Sequence, residues 1–201
     1  MRSHLQFQSD MLDLHRQFSA HDAQHTDRLQ RYRNIETESA QLLNMLIGVQ
    51  QTQNALEIGT STGYSTLWLA EALVQTQGQI TTLEIDEARS QTAQHYAKNF
   101  ELDHLIDFKV GDALRYLANC DVVFDFILLD AERDAYVDYW QYLPKLLEQK
   151  NGLLVVDNVL SHADQVAEFI SLISCDPAFK TLTMNIGAGL LLVSYNTAEL
   201  N

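Results

Sequence analysis

Proline is nearly absent from this chain, with only Pro144 and Pro177, and cysteine is as scarce, with only Cys120 and Cys175. So little proline argues against a disordered or low-complexity chain. The cysteines lie far apart without CxxC spacing, so they read as ordinary thiols of a reducing compartment, and a cytoplasmic protein is expected. Positive charge is also short: 13 Lys and Arg stand against 27 Asp and Glu, a formal net charge of −14. A field of that sign repels phosphate backbones, which weighs against a nucleic-acid partner. No apolar run approaches the ~18 residues of a membrane span, and polar residues interrupt the first segment too often for a secretory signal. Internal repeats and Gly/Pro/Ser-rich linkers are missing as well.

What is present is alternation. The 201 residues suit a single α/β domain over 1–201, with a helical cap or interface segment over 1–50 and a core over 54–195. Short apolar, β-rich runs occupy 54–59, 79–85, 106–111, 124–131 and 152–159. Helical patterns begin between them near Tyr64, Glu87, Ala113, Ala135 and Ser161. Continuous apolar strands separated by helices predict a doubly wound parallel sheet covered on both faces. The run 180–195 reads as two strands joined at Gly187–Gly189, an antiparallel hairpin that brings the strand count to seven. The first 50 residues read as helical throughout.

In such a sheet the ligand sits outside the carboxyl ends of the strands, where the winding reverses. "EIGTSTGYS" (57–65) occupies the first strand-to-helix turn. Gly59 and Gly63 remove side chains where a ligand must approach the backbone, Ser61 and Ser65 offer hydroxyls, and the helix start offers free amides. The spacing is neither a dinucleotide G-x-G-x-x-G nor a P-loop, since Tyr64 follows Gly63 where the latter needs lysine. An acid, Glu57, ends the first strand. Glu84 ends the second, where a ribose-diol carboxylate belongs. Asp112 follows the third, within reach of an adenine amino group. Three acids at three strand ends suit a nucleoside that carries positive charge.

With "LEIGTSTGYSTLWLA", "LEID", "VGDA", "FDFILLDAERDAYVDYW", "GLLVVDNVL" and "IGAGLLL" in order over 55–195, the chain resembles the class I S-adenosylmethionine-dependent methyltransferases. Within them it is similar to the catechol and caffeoyl-CoA O-methyltransferase family. The resemblance implies a Rossmann-like methyltransferase fold and S-adenosylmethionine as cofactor. It implies that Glu57, Gly59, Ser61, Gly63 and Ser65 meet the methionine part, Glu84 the ribose, and Asp112 with Ala113 the adenine. It also implies a small-molecule acceptor, with no membrane partner, and a homodimer.

Asp130 and then Asp157–Asn158 end two successive strands. Two carboxylates and an amide oxygen form a hard-oxygen set suited to Mg²⁺. In the family these positions hold a divalent metal that grips a catechol's two oxygens, which makes Asp130 a cofactor-side, metal and catalytic candidate at once. Arg133 stands where metal-dependent relatives carry a lysine base. A guanidinium stays protonated, so it can stabilise a phenolate but cannot take its proton. Tyr136 is a poor substitute base at its ordinary pKa of about 10, and Ala188 replaces an acid in the family's terminal "GDG". His21 and His25, spaced i, i+4, would share a helix face as a metal pair, but no HExxH surrounds them and polar neighbours point to a solvated face, and the "RLQRYR" stretch (28–33) reads as solvated or interfacial helix surface. His162 is expected in the first turn of a helix capped by Ser161, near the proposed site. A methyltransferase that needs no metal and a cofactor-binding protein without turnover are the other readings.

Overall fold

The computed structural model describes residues 3–196. Seven strands form one sheet: β1 (Asn54–Ile58), β2 (Gln79–Glu84), β3 (Ile106–Val110), β4 (Phe126–Leu129), β5 (Leu153–Val156), β6 (Phe179–Met184) and β7 (Leu190–Tyr195). Their order is β3-β2-β1-β4-β5-β7-β6. The first five run parallel, and β7 pairs antiparallel with both β5 and β6. The winding reverses between β1 and β4, so the crevice of a doubly wound sheet opens there. The fold is the seven-stranded, mostly parallel sheet with a terminal hairpin that the strand pattern predicts.

Central strands are buried on both faces because helices cover both. All four residues of β4 are buried. Alternate residues feed two cores. Phe126, Leu128 and Val155 pack toward α1 (His4–Gln24), α2 (Thr37–Gln50) and α3 (Tyr64–Thr76), where Phe7 meets Trp68 edge-on at 5.1 Å. Ile127, Leu129 and Val156 pack toward α6 (Tyr136–Trp140), α7 (Leu143–Leu146) and α8 (Ala163–Ser174). Two more helices, α4 (Glu87–Asn99) and α5 (Ala113–Ala118), follow β2 and β3. Among the described residues no helix is long and apolar enough to cross a membrane.

The N-terminal 50 residues are not helical throughout. α1 stops at Gln24, a single 3-10 turn spans Arg28–Gln30, and the chain runs irregularly to α2. The cause is local. Asp27 accepts from Leu29 N and caps the short turn, and Arg33 takes a left-handed φ of 54°. The Asp22 carboxylate takes the backbone N–H groups of Tyr32 (2.7 Å) and Arg33 (2.9 Å), which a helix would have needed for its own ladder. "RLQRYR" is therefore a turn and an extended strap rather than a helix face. His21 and His25 do share a face, but their rings stack at 4.2 Å, and His21 stacks again on Tyr32 at 3.9 Å. The helix after β5 also begins later than expected, with His162 as its N-cap residue and Ser161 hydrogen-bonded to His162 Nδ1 at 2.9 Å.

Leu128 is fully buried in β4 and Leu182 is 60% exposed on the edge strand β6. Leu128→Ala is expected to lower unfolding free energy by about 3 kcal/mol. Leu182→Ala is expected to change it by less than about 0.5 kcal/mol. Urea denaturation of both variants checks this, and equal losses would contradict the assignment of the sheet's centre and edge.

Candidate active site

The turn after β1 is shaped by contacts that tolerate no side chain. Gly59 has φ +107°, and a Cβ there would lie 1.9 Å from the carbonyl oxygen of Asp130 at the end of β4. Gly63 has φ +87°, and its Cβ would meet Ala93 of α4 at 2.8 Å. Gly59 therefore lets two strand ends touch beside the cleft, whereas Gly63 seats α3 on α4. Ser61 lies between them at a left-handed φ of 47°, a conformation that costs a non-glycine residue energy. Two bonds hold it: Ser61 N donates to Glu84 Oε2 at 2.7 Å, and its hydroxyl donates to Tyr32 O at 2.6 Å.

Glu57 does not line the cleft, unlike its sequence expectation. It is fully buried beneath the turn, where Oε1 accepts from Ser65 Oγ and Oε2 from Thr66 Oγ1 and Thr82 Oγ1, each at 2.5 Å. Thr82 continues the chain to Thr60 at 2.5 Å. Burial dominates, so the Glu57 pKa is pushed up to about 7 although three hydroxyls favour its charged form and the Asp130 charge opposes it. Ser65, which does line the cleft, stands between Glu57 and any ligand.

The other acids reach the cleft wall. Glu84 accepts from Ser61 N and, at 3.0 Å, from Asp86 N, so its carboxylate is held in place by two backbone amides. Asp112 caps α5 by accepting from Arg115 N at 2.9 Å, and it lines the cleft with Ala113. The cleft holds about 820 Å³ and runs across the ends of β3, β2, β1 and β4 to Asn158 after β5.

At its other end Asn158 Nδ2 bridges Asp130 Oδ1 (3.0 Å) and Asp157 Oδ2 (2.9 Å). Asp157 Oδ1 is buried without a partner. Burial, and then the Asp130 charge, push the Asp157 pKa up to about 8. Burial likewise raises Asp130 to about 6, against the pull of the Arg133 and Arg33 guanidiniums and the Asn158 amide. Arg133 donates its Nε to Gln165 Oε1 at 2.8 Å. His162 lines the same end, and its pKa is lowered by burial and then by Arg133, Arg28 and Arg33. Tyr136 is wholly buried, its hydroxyl bonded to the backbone of Ala131, and burial raises its pKa well above the ordinary value, which removes it as a base.

The strap from 25 to 36 roofs the cleft, and sequence reasoning assigned it no part in the site. Arg28 and Arg33 both bind Glu132, and Arg89 Nη2 donates to Leu29 O (2.7 Å) and Arg31 O (3.0 Å). Four arginines within 28–33 and 89 were visible as letters. The convergence of Arg28 and Arg33 on Glu132 in the loop after β4 needed the left-handed turn at Arg33, which has no letter signature.

The O-methyltransferase family profile matches residues 8–194. The chain is 30% identical over 186 residues to caffeoyl-CoA O-methyltransferase 2 of Populus trichocarpa, covering 79% of this chain and 74% of that one. It is 31% identical over 131 residues to the catechol O-methyltransferase of Niastella koreensis, covering 63% and 58%. Among solved structures, an O-methyltransferase from Bacillus cereus in complex with SAH superposes with a TM-score of 0.77 at 23% identity, covering 95% and 91%; at that identity the likeness is one of fold.

The buried acid gives a pH signature. The Glu57 pKa rises from 4.5 to about 7 on folding, so between those values the folded state holds the proton more tightly than the unfolded chain. Its contribution is full below pH ~4.5 and is lost as pH rises through ~7, an effect on the order of 3 kcal/mol. Glu57→Gln keeps the shape without the titration. The stability of the variant relative to wild type is expected to rise between pH 5 and pH 8 in urea denaturation. A pH-independent difference would contradict the assignment.

Proposed function

The chain belongs to the O-methyltransferase family and is an S-adenosylmethionine-dependent O-methyltransferase; from that premise we propose that it methylates one hydroxyl of a small phenol bearing vicinal hydroxyls, assisted by a divalent metal. The observation that carries this reading is the meeting of Asp130, Asp157 and Asn158 at the ends of adjacent strands, beside a glycine turn that a Cβ would block.

S-adenosylmethionine, when bound, supplies an electrophilic methyl group on a sulfonium. Glu84, fixed by two amide donors, keeps lone pairs for a ribose diol. Gly59 leaves the backbone bare between the β1 and β4 ends, and Ser61 with Ser65 offers short polar contacts beside it. Asp112 and Ala113 wall the end over β3, where adenine would rest. The volume of about 820 Å³ suits a nucleoside-sized ligand together with a small acceptor. Such positioning supplies much of the advantage of an in-line transfer.

The donor set at the opposite end fits a hard divalent cation. Two carboxylates that cannot both ionise comfortably, one with an unpartnered oxygen, stand beside an amide whose oxygen can turn toward them. Asp130, Asp157 and Asn158 would hold the ion, whose charge favours the phenolate form of a bound hydroxyl. Arg133 stays protonated and stabilises developing phenolate charge, and the proton departs to solvent. One observation favours the metal-free alternative: the Asn158 amide nitrogen already ties the two acids together without a cation.

Calorimetric titration of Mg²⁺ into protein saturated with S-adenosylhomocysteine separates the two. One-to-one binding that disappears in Asp157→Ala is the expected result. Absence of binding by protein that still holds S-adenosylhomocysteine would contradict the metal part and leave Arg133 to orient the acceptor.

A further inference from the structure

Neither Arg133 nor Tyr136 can take a proton from the acceptor. The guanidinium stays protonated, and the Tyr136 hydroxyl is buried on the backbone of Ala131. The acids that line the cleft are nearly all engaged. Glu84 and Asp86 hold backbone amides, and Asp112 caps α5. Asp130 is bound by Asn158, and Glu132 is shared by Arg28 and Arg33. Glu36 is left. It lines the same cleft, and among the described residues its carboxylate accepts no hydrogen bond.

Glu36 opens α2 through its backbone alone. Its carbonyl accepts from Ala40 N at 3.0 Å, and its side chain does not turn back to cap the helix. The turn between β6 and β7 presses on its stem, where a Cβ on Gly187 would lie 3.0 Å from Glu36 Cβ. That turn also holds the loop beyond Asp157 and Asn158, because Ala188 O accepts from Leu160 N (3.1 Å) and Ser161 N (2.9 Å). Glu36 therefore faces the end of β5 from the opposite wall. Its charge is felt there: burial first, then the Asp130 charge, and with them the Glu36 charge, push the Asp157 pKa up. From α1, His15 Nε2 approaches at 3.9 Å, too far for a hydrogen bond. Tyr64 of α3 also feels the charge of Glu36, with that of Glu38 on the same helix. The Glu36 side chain is 56% exposed, so a proton taken inside the cleft has a path to water.

We propose that Glu36 is the general base of the methyl transfer. The inference rests on the vicinal-diol reading above and gives the route by which the acceptor's proton reaches solvent. A Glu36 oxygen takes the proton as the phenol O–H bond breaks, and the phenol oxygen bonds to the methyl carbon. The C–S bond breaks with its electron pair returning to sulfur, and protonated Glu36 then gives its proton to water. A carboxylate is a weak base toward a phenol with a pKa of about 10. Two features offset this: the fixed charge of Arg133 favours the phenolate, and the proton leaves as the oxygen–methyl bond forms.

The test measures single-turnover rates with catechol, S-adenosylmethionine, Mg²⁺ and the full chain, from pH 7 to pH 9. Glu36→Gln is expected to lower the rate about a hundredfold at pH 7. Its calorimetric affinity for S-adenosylhomocysteine is expected to stay at the wild-type value. The deficit is expected to narrow as pH rises, because catechol that ionises unaided needs no base. Formate added to Glu36→Ala is expected to restore part of the rate at pH 7. A deficit equal at every pH, the mark of a merely structural role, would overturn the inference alone. So would a wild-type rate in Glu36→Gln, or a deficit that narrows with pH in His162→Gln instead. Failure of wild type to methylate catechol while binding S-adenosylhomocysteine would overturn the vicinal-diol reading and this inference with it.

Discussion

The carbonyl oxygen of Asp130 sits where a Cβ on residue 59 would be, only 1.9 Å away, and this contact joins the two halves of the site. β1 and β4 are neighbours in the sheet although α3, β2, α4, β3 and α5 separate them in sequence. Because residue 59 is glycine, the turn after β1 and the loop that carries Asp130, Glu132 and Arg133 lie against each other without a gap. A shift in one loop is transmitted to the other by backbone contact, not through flexible side chains. Gly59 is thus a packing requirement of the sheet at the wall of the cleft.

Charge is organised around the same seam. Beneath it, Glu57 is buried under three hydroxyls and titrates near neutrality. Over β2 and β3, Glu84 and Asp112 line the cleft with acidic groups. Beyond β4, Asp130 and Asp157 oppose each other, and Arg28, Arg33 and Arg133 set local positive charge in an otherwise acidic chain. The field along the cleft therefore runs from acidic over β2 to cationic toward α8.

Much of this architecture could be read from letters. The strands fall within a few residues of the apolar runs, and the helices after β1, β2 and β3 start at Tyr64, Glu87 and Ala113, as the patterns predict. Periodicity and turn residues decide such features locally. Two kinds of error remained. Glu57 reads as a ligand-facing acid because a strand end points at the crevice, yet alternation along β1 turns its side chain under α3, where Ser65, Thr66 and Thr82 converge. No spacing rule reports that three hydroxyls from two elements meet one carboxylate. The strap from 25 to 36 reads as helix because its composition is helix-compatible. Asp22, eleven residues before Arg33, removes two backbone donors from that option, a tertiary override of local propensity.

In the proposed site, Glu84 at the end of β2 holds the ribose of the cofactor. The most direct measurement is calorimetric affinity for S-adenosylhomocysteine in wild type and in Glu84→Gln, which keeps one acceptor oxygen for the Ser61 amide. One-to-one binding by wild type is expected, weakened about tenfold or more in the variant as charge-assisted bonds to the ribose are lost. Unchanged affinity in a folded variant would contradict it.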